Sequence, residues 1–188
     1  MKNICCIVNP VSGLKKSLKV YYEAKNLFEK SDFNTSLFVS EYPNHIKDYV
    51  SKIEKNRFDR IIVFGGDGSI NEVVNGLNDS NNLQSFKLGV IPTGSGNSVA
   101  HDTGLLDIKD AISKSLGDNI IKMDLNKVDF DSVSRLSVSV LGWGMFSYGN
   151  IRAEKLRLLG PIRYDVASII TLLEKKIHKA EVEVDGKL

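Results

Sequence analysis

Three short stretches of the chain gather glycine, hydroxyl and amide side chains directly behind apolar runs. They read NPVSG at residues 9–13, GGDGSINEVVNG at 65–76 and PTGSGN at 92–97. Gly65, Gly66 and Gly68 permit positive φ and leave bare backbone amides facing outward. Amides at a helix N-terminus bind phosphate oxygens. Asp67, inside the same turn, would repel a phosphate unless it takes a proton, helps hold a metal or accepts a hydroxyl hydrogen bond. A kinase needs such a group, to accept the proton of an acceptor alcohol or to organise Mg2+. Thr93, Gly94, Ser95, Gly96 and Asn97 offer a second amide nest with hydroxyl donors. Asn9, ahead of Pro10, supplies a side-chain amide suited to a phosphate or to the edge of an adenine. Any one of these turns is by itself an ordinary strand-to-helix connection with an N-cap aspartate. Three of them at strand ends ask for a ligand.

Other phosphate and acyl chemistries are excluded by spacing. The chain has no GxxxxGK[ST], so a Walker-type loop is absent. Val99 stands where a dinucleotide fingerprint needs its third glycine after Gly94 and Gly96. No GxSxG element marks a hydrolase nucleophile.

The elements that must position these turns alternate. Ile4 to Val8 reads as a buried strand, and Leu14 to Phe28 carries apolar residues at helical spacing. Thr35 to Val39 is a second strand, followed by a helix from about Asn44 to Lys55. Arg60 to Phe64 is a continuously apolar third strand, Asn71 to Leu77 is helical, and Leu88 to Ile91 is a fourth strand. This predicts an α/β fold, a parallel sheet with helices on both faces. Ligands of such sheets gather beyond the carboxyl ends of the strands, so the three turns should meet at one edge. After Gly117 the pattern changes. Ile120 to Val128 and Arg135 to Leu141 read as strands with no helix between them. Gly142-Trp143-Gly144 breaks the pattern, Ile162 to Ile177 is a helix, and Ala180 to Val184 alternates like a strand. The expected organisation is a nucleotide-binding domain at 1–117 and the start of a β-rich second domain at 118–188.

Composition limits the partners. With 188 residues, 42% hydrophobic and 26% charged, the chain has ordinary globular content. A net charge of +2 gives no global basic field for nucleic acid. No apolar run reaches the length of a membrane span, and no signal peptide is expected. Cys5 and Cys6 are adjacent in a strand, so their side chains leave on opposite faces. They read as reduced core thiols, which fits a cytoplasmic protein.

NPVSG, GGDGSINEVVNGL and IPTGSGN, in this order and spacing, resemble the signature stretches of the diacylglycerol kinase catalytic-domain family of lipid kinases, which includes sphingosine and ceramide kinases. NAD kinases and phosphofructokinases share the GGDG turn, whereas PTGSGN and EVVNG favour the lipid kinases. SVSVLGWG followed by EKLRLLGPIRYD is similar to the corresponding stretch of sphingosine and ceramide kinases. The resemblance implies ATP and Mg2+ as cofactors and a lipid hydroxyl as acceptor at a membrane surface. It implies that Asn9, Pro10 and Val11 lie at the nucleotide, and that Ser40 to Asn44 contact adenine or ribose. Asp67 is then the base, Glu72 helps bind nucleotide, and Gly94, Ser95 and Gly96 cradle phosphate. Arg157 and Arg163 match the family's phosphate-binding arginines. The first domain's turns contain no lysine or arginine against the roughly four charges of a triphosphate, so cations from elsewhere are needed.

The match weakens at Tyr148 and Asn150, where sphingosine kinases carry two aspartates that address the lipid head group. Neither residue is charged at neutral pH, so a neutral head group such as ceramide or diacylglycerol is tolerated. Family members also run on to complete a β-sandwich, so this chain reads as a fragment or a reduced member. A half-built sandwich predicts open strand edges and self-association into a homo-oligomer. The helix at 162–177 is expected either buried against the sandwich or in peripheral contact with a membrane. Three other readings stand beside the lipid kinase: a small-molecule kinase of the NAD kinase type, a catalytically inactive nucleotide-binding fragment, and a plain α/β interaction domain.

Overall fold

The computed structural model describes residues 2–31, 33–174 and 179–186. By contacts the chain divides into two compact units, Met1–Val140 and Leu141–Leu188.

The first unit is built on four strands: β1 (Lys2–Val8), β2 (Phe33–Val39), β3 (Arg60–Gly65) and β4 (Lys87–Pro92). All neighbours pair in parallel, in the order β2-β1-β3-β4. Helices α1 (Ser17–Glu29), α2 (His45–Val50), α3 (Asp67–Asp79), α4 (Ser98–Asp102) and α5 (Ile108–Leu116) make the connections. Strand alternation splits the core in two. Cys5, Ile7, Ile61, Val63 and Val90 face α2 and α3, where they meet Ile46, Val50, Ile70, Val73, Val74 and Leu77. Ile4, Cys6, Val8, Ile62, Phe64 and Ile91 face α1 and α5. The central strand β3 is apolar throughout because both of its faces are covered. The adjacent cysteines accordingly sit fully buried in opposite halves of the core.

The chain leaves β1 toward β2 on one side and leaves β3 toward β4 on the other. Between the carboxyl ends of β1 and β3 the connections part, which is the switch point where open sheets hold ligands. NPVSG follows β1 and GGDG follows β3, so the sheet order alone brings two of the three stretches there.

Several expectations shift. Helix α1 starts at Ser17, three residues later than predicted, because Leu14 and Lys15 adopt left-handed φ of 60° and 67°. The second helix stops at Val50 rather than Lys55. An antiparallel hairpin, β5 (Asn126–Phe130) with β6 (Val133–Ser137), replaces the longer predicted strands. Val138 and Leu136 pack into the α2–α3 half of the core. The hairpin therefore belongs to the first unit, and the division falls after Val140 rather than at 117.

The described part of the second unit is helical rather than β-rich. It holds α6 (Met145–Lys155), a 3-10 turn at Arg157–Ile162 broken at Gly160, and α7 (Arg163–Leu173). Helix α6 was not predicted, because Gly149 and Asn150 interrupt its apolar spacing. The predicted strand Ala180–Val184 is reduced to a bridge at Val184. The predicted end of the last helix, residues 175–177, lies outside the described residues.

Burial pushes the Cys5 thiol up to about 11 and the Cys6 thiol up to about 12 from an ordinary 9.0, because the thiolates would lose hydration. Above pH 9 the unfolded chain releases protons that the folded chain retains. Stability that is intact below that pH therefore falls as pH climbs toward 12. The melting temperature should drop between pH 9 and pH 11, and Cys6→Ala should flatten the slope. An unchanged slope in the variant would assign the loss to other groups.

Candidate active site

The three glycine stretches meet at the carboxyl edge of the sheet, as predicted, and they touch through backbone. Gly13 has φ +52°, and a Cβ there would lie 1.8 Å from the Thr93 carbonyl oxygen. A Cβ on Gly94 would lie 2.4 Å from the Gly66 Cα. These glycines are needed because loop packs on loop with no room for a side chain. Gly68 differs. It is exposed, and a Cβ there would meet nothing within 4 Å.

Side chains lock the same contacts. The buried hydroxyls of Ser17 and Thr93 share a hydrogen bond of 2.8 Å. The Asn9 amide nitrogen donates to Oγ of Ser69 at 3.1 Å, and its backbone amide donates to the Phe64 carbonyl at 3.1 Å. The side-chain Oδ1 of Asn9 accepts from the Val11 amide at 3.2 Å, which turns the loop over Pro10. Asn97, in a left-handed conformation, staples the third loop shut. It accepts from the Gly94 amide and donates to the Gly94 carbonyl, both at 2.9 Å. The Gly94 amide is thus taken, whereas the amides of Ser95 and Gly96 carry no partner among the described residues.

Asp67 opens α3 behind the N-cap Gly66, which supplies no side-chain bond. Its Oδ2 accepts from the Ser98 amide at 2.9 Å and its Oδ1 from the Val99 amide at 3.1 Å. The carboxylate therefore caps α4 and at the same time stands at the first turn of α3. Glu72, one turn further on, accepts at Oε2 from the Ile46 amide at 3.1 Å and so caps α2. In this structure Glu72 serves helix α2, which follows the Ser40–Asn44 loop.

The predicted Ser40–Asn44 segment lies beside the switch point. Buried Ser40 donates its amide to the Val8 carbonyl at 2.9 Å, and exposed Asn44 takes φ +68°. Sequence reasoning missed the aromatic pair that joins it to the start of α2. Tyr42, 53% exposed, stacks on His45 with ring centroids 4.1 Å apart. His45 Nδ1 accepts from the Glu41 amide at 3.1 Å. A lone histidine gives no signal in a sequence unless its loop is known to fold back. Lys15 and Lys16 were missed as well. The predicted helix start placed them on α1, but both are exposed in the loop after Gly13. The edge therefore carries cations that the predicted helix boundary hid.

Tyr148, Asn150 and Arg163 lie in the second unit. Tyr148 lines a shallow cleft with Ile151, Arg152, Lys155 and Glu174. Asn150 is exposed two positions along α6, so the two predicted substrate residues face different sides of the helix. Arg163 is buried. Its guanidinium donates to the Tyr164 hydroxyl at 2.8 Å and stands 3.4 Å from Glu154. Arg152 pairs with Glu174 and donates to Thr171 at 2.8 Å. The side chain of Arg157 lies outside the described residues.

The model of the diacylglycerol kinase catalytic domain matches residues 3–128. The chain belongs to this family. Its relatives include sphingosine kinase 2 of Arabidopsis thaliana, 31% identical over 175 residues, covering 87% of this chain and 36% of that protein. Human ceramide kinase is 31% identical over 202 aligned residues, covering 96% of this chain and 37% of that protein. A putative lipid kinase of Streptococcus pneumoniae serotype 4 is 28% identical over 198 residues, covering 99% and 62%. The chain thus spans little more than a third of the first two relatives. A putative diacylglycerol kinase from Bacillus anthracis str. Sterne shares the fold, with a TM-score of 0.50 at 24% identity over 60% of this chain and 40% of that one.

The two kinds of family glycine can be told apart by stability. Gly13→Ala should cost about 2 kcal/mol or more in urea unfolding, from positive φ and the clash with Thr93. Gly68→Ala should shift stability by less than about 1 kcal/mol, since its space is open and alanine favours the helix. A Gly13→Ala chain as stable as the parent would contradict the close loop packing.

Proposed function

We propose that the chain carries the nucleotide-binding part of an ATP- and Mg2+-dependent lipid kinase. It moves the γ-phosphoryl group of ATP to a hydroxyl of a sphingolipid (a sphingoid base or ceramide) or of diacylglycerol at a membrane surface. The observation that carries this reading is the place of Asp67. Its two amide bonds tie the carboxylate, at the first turn of α3, to Ser98 and Val99 at the start of α4, directly after the loop whose Ser95 and Gly96 amides carry no partner among the described residues. Phosphate oxygens suit those amides and the unblocked space over Gly68. Each oxygen of Asp67 accepts one amide hydrogen and keeps a lone pair for an incoming hydroxyl. Asp67 takes the hydroxyl proton as the lipid oxygen bonds to phosphorus and ADP departs.

The exposed face of the Tyr42–His45 stack offers a flat platform for an adenine ring, and Lys15 and Lys16 supply charge against the phosphates. Mg2+ commonly takes one or two carboxylates and completes its shell with phosphate oxygens and water. Asp67 would serve as the protein's donor in that role. When bound, the ion would supply charge neutralisation to the triphosphate. The names of the relatives point to lipid acceptors. Exposed Trp143, Phe146, Leu158, Leu172 and Leu173 in the second unit suit a lipid-facing side. No helix among the described residues is long and apolar enough to cross a membrane.

The test is phosphate transfer from labelled ATP to sphingosine, ceramide, diacylglycerol and NAD in parallel, using the protein as the cell makes it. One of the lipids should be labelled. Asp67→Asn, which keeps one acceptor for the α4 amides, should lose transfer by about a hundredfold or more. It should still melt higher with ATP–Mg2+. Labelled NAD with unlabelled lipids would reassign the enzyme to the NAD kinase type. Nucleotide-dependent stabilisation without any transfer would make it an inactive binding module.

A further inference from the structure

Asn71 and Asn75 have no part in the chemistry above, yet both are engaged with backbone. Asn75 donates from Nδ2 to the Leu136 carbonyl at 2.8 Å and accepts at Oδ1 from the Leu136 amide at 3.0 Å. Asn71 Oδ1 accepts from the Val138 amide at 3.2 Å. Asn75 Nδ2 also reaches the Asn71 carbonyl at 2.8 Å, which fixes its orientation. Four residues of helix rise about 6 Å, and alternate residues of a strand lie about 6.7 Å apart. Two asparagines four apart on a helix therefore match alternate peptides along one strand edge. The other edge of β6 pairs with β5. Helix α3 thus acts, through side chains, as the third strand of the hairpin's sheet, and it covers an edge that would otherwise be open.

The first turn of the same helix holds the phosphate loop, because Asp67 accepts from Ser98 and Val99 just beyond Asn97. A single 13-residue helix is therefore fastened to the loop at one end and to the hairpin along its side. We propose that Asn71 and Asn75 are positioning residues. Through α3 they tie the order of the β5–β6 hairpin to the order of the Gly94–Asn97 loop, so that a nucleoside diphosphate held by the loop steadies the hairpin too. A ligand that binds only the closed loop makes rarer every opening that displaces α3, and the hairpin cannot leave without breaking its bonds to α3. The inference rests on the nucleotide-binding reading above.

Amide hydrogen exchange of the chain with and without ADP–Mg2+ tests both ideas separately. ADP should slow exchange at Ser95, Gly96 and Asn97, and should slow Leu136 and Val138 by about tenfold. In Asn75→Leu, of similar volume, the loop should still respond while Leu136 and Val138 no longer do. Asn75→Asp keeps the acceptor for the Leu136 amide and should restore part of the response, which a purely space-filling role would not. Should Asn75→Leu fail to fold, Asn71→Ala decides instead, through loss of the response at Val138. Slowing confined to the loop in the parent chain overturns the coupling and leaves the kinase reading intact. A hairpin response that survives in Asn75→Leu removes the asparagines from it. No effect of ADP at 95–97 overturns nucleotide binding by this loop, and the coupling with it.

Discussion

Helix α3 is the constraint on which the rest of this fold depends. Every polar side chain in its first nine positions that could be read as chemistry also makes a structural bond. Asp67 caps α4, Ser69 receives Asn9, Glu72 caps α2, and Asn71 and Asn75 hold β6. Gly76 completes the set, since a Cβ there would lie 2.7 Å from the Lys47 carbonyl oxygen on α2. One amphipathic helix on a buried strand thereby fixes two short helices, one loop and a hairpin. Neither α2 nor α4 is long enough to be stable alone. Each takes its N-terminal bonds from a carboxylate of α3, which also favours the positive end of the helix dipole.

This double use explains how the site is pre-arranged. A base must be held within hydrogen-bond reach of its proton, and side chains on mobile loops rarely are. Here the carboxylate is anchored by two amides of a loop that is itself stapled by Asn97 and pressed against Gly66. The bonds that hold Asp67 still leave it lone pairs, so anchoring and acceptance of a proton are compatible. The close backbone contacts of Gly13 with Thr93 and of Gly94 with Gly66 leave little slack in the loop that runs into those two amides.

Charge follows the same logic. The loops that approach the site by backbone have no space for long cationic side chains at their points of contact. Lysines therefore appear just outside, at Lys15 and Lys16, where the left-handed turn delays α1. Among the described side chains of the second unit, Arg152 pairs with Glu174 and Arg163 with Glu154. Pairing at a partly exposed position is weak and salt-dependent.

The alternation of apolar runs with glycine turns was enough to specify a parallel sheet, the burial of Cys5 and Cys6 on opposite faces, and the meeting of three loops at one edge. All of these follow from local periodicity and the short reach of strand-to-helix connections. What the sequence could not determine is what each motif residue touches. That Glu72 caps α2, that Asn75 copies a strand edge, and that Gly94 serves a contact while Gly68 faces open space depend on partners 26 to 61 positions away. The same limit misplaced the boundary after Gly117. Strand signals reveal a hairpin but not which helix it will lean on, and only the packed fold decides that.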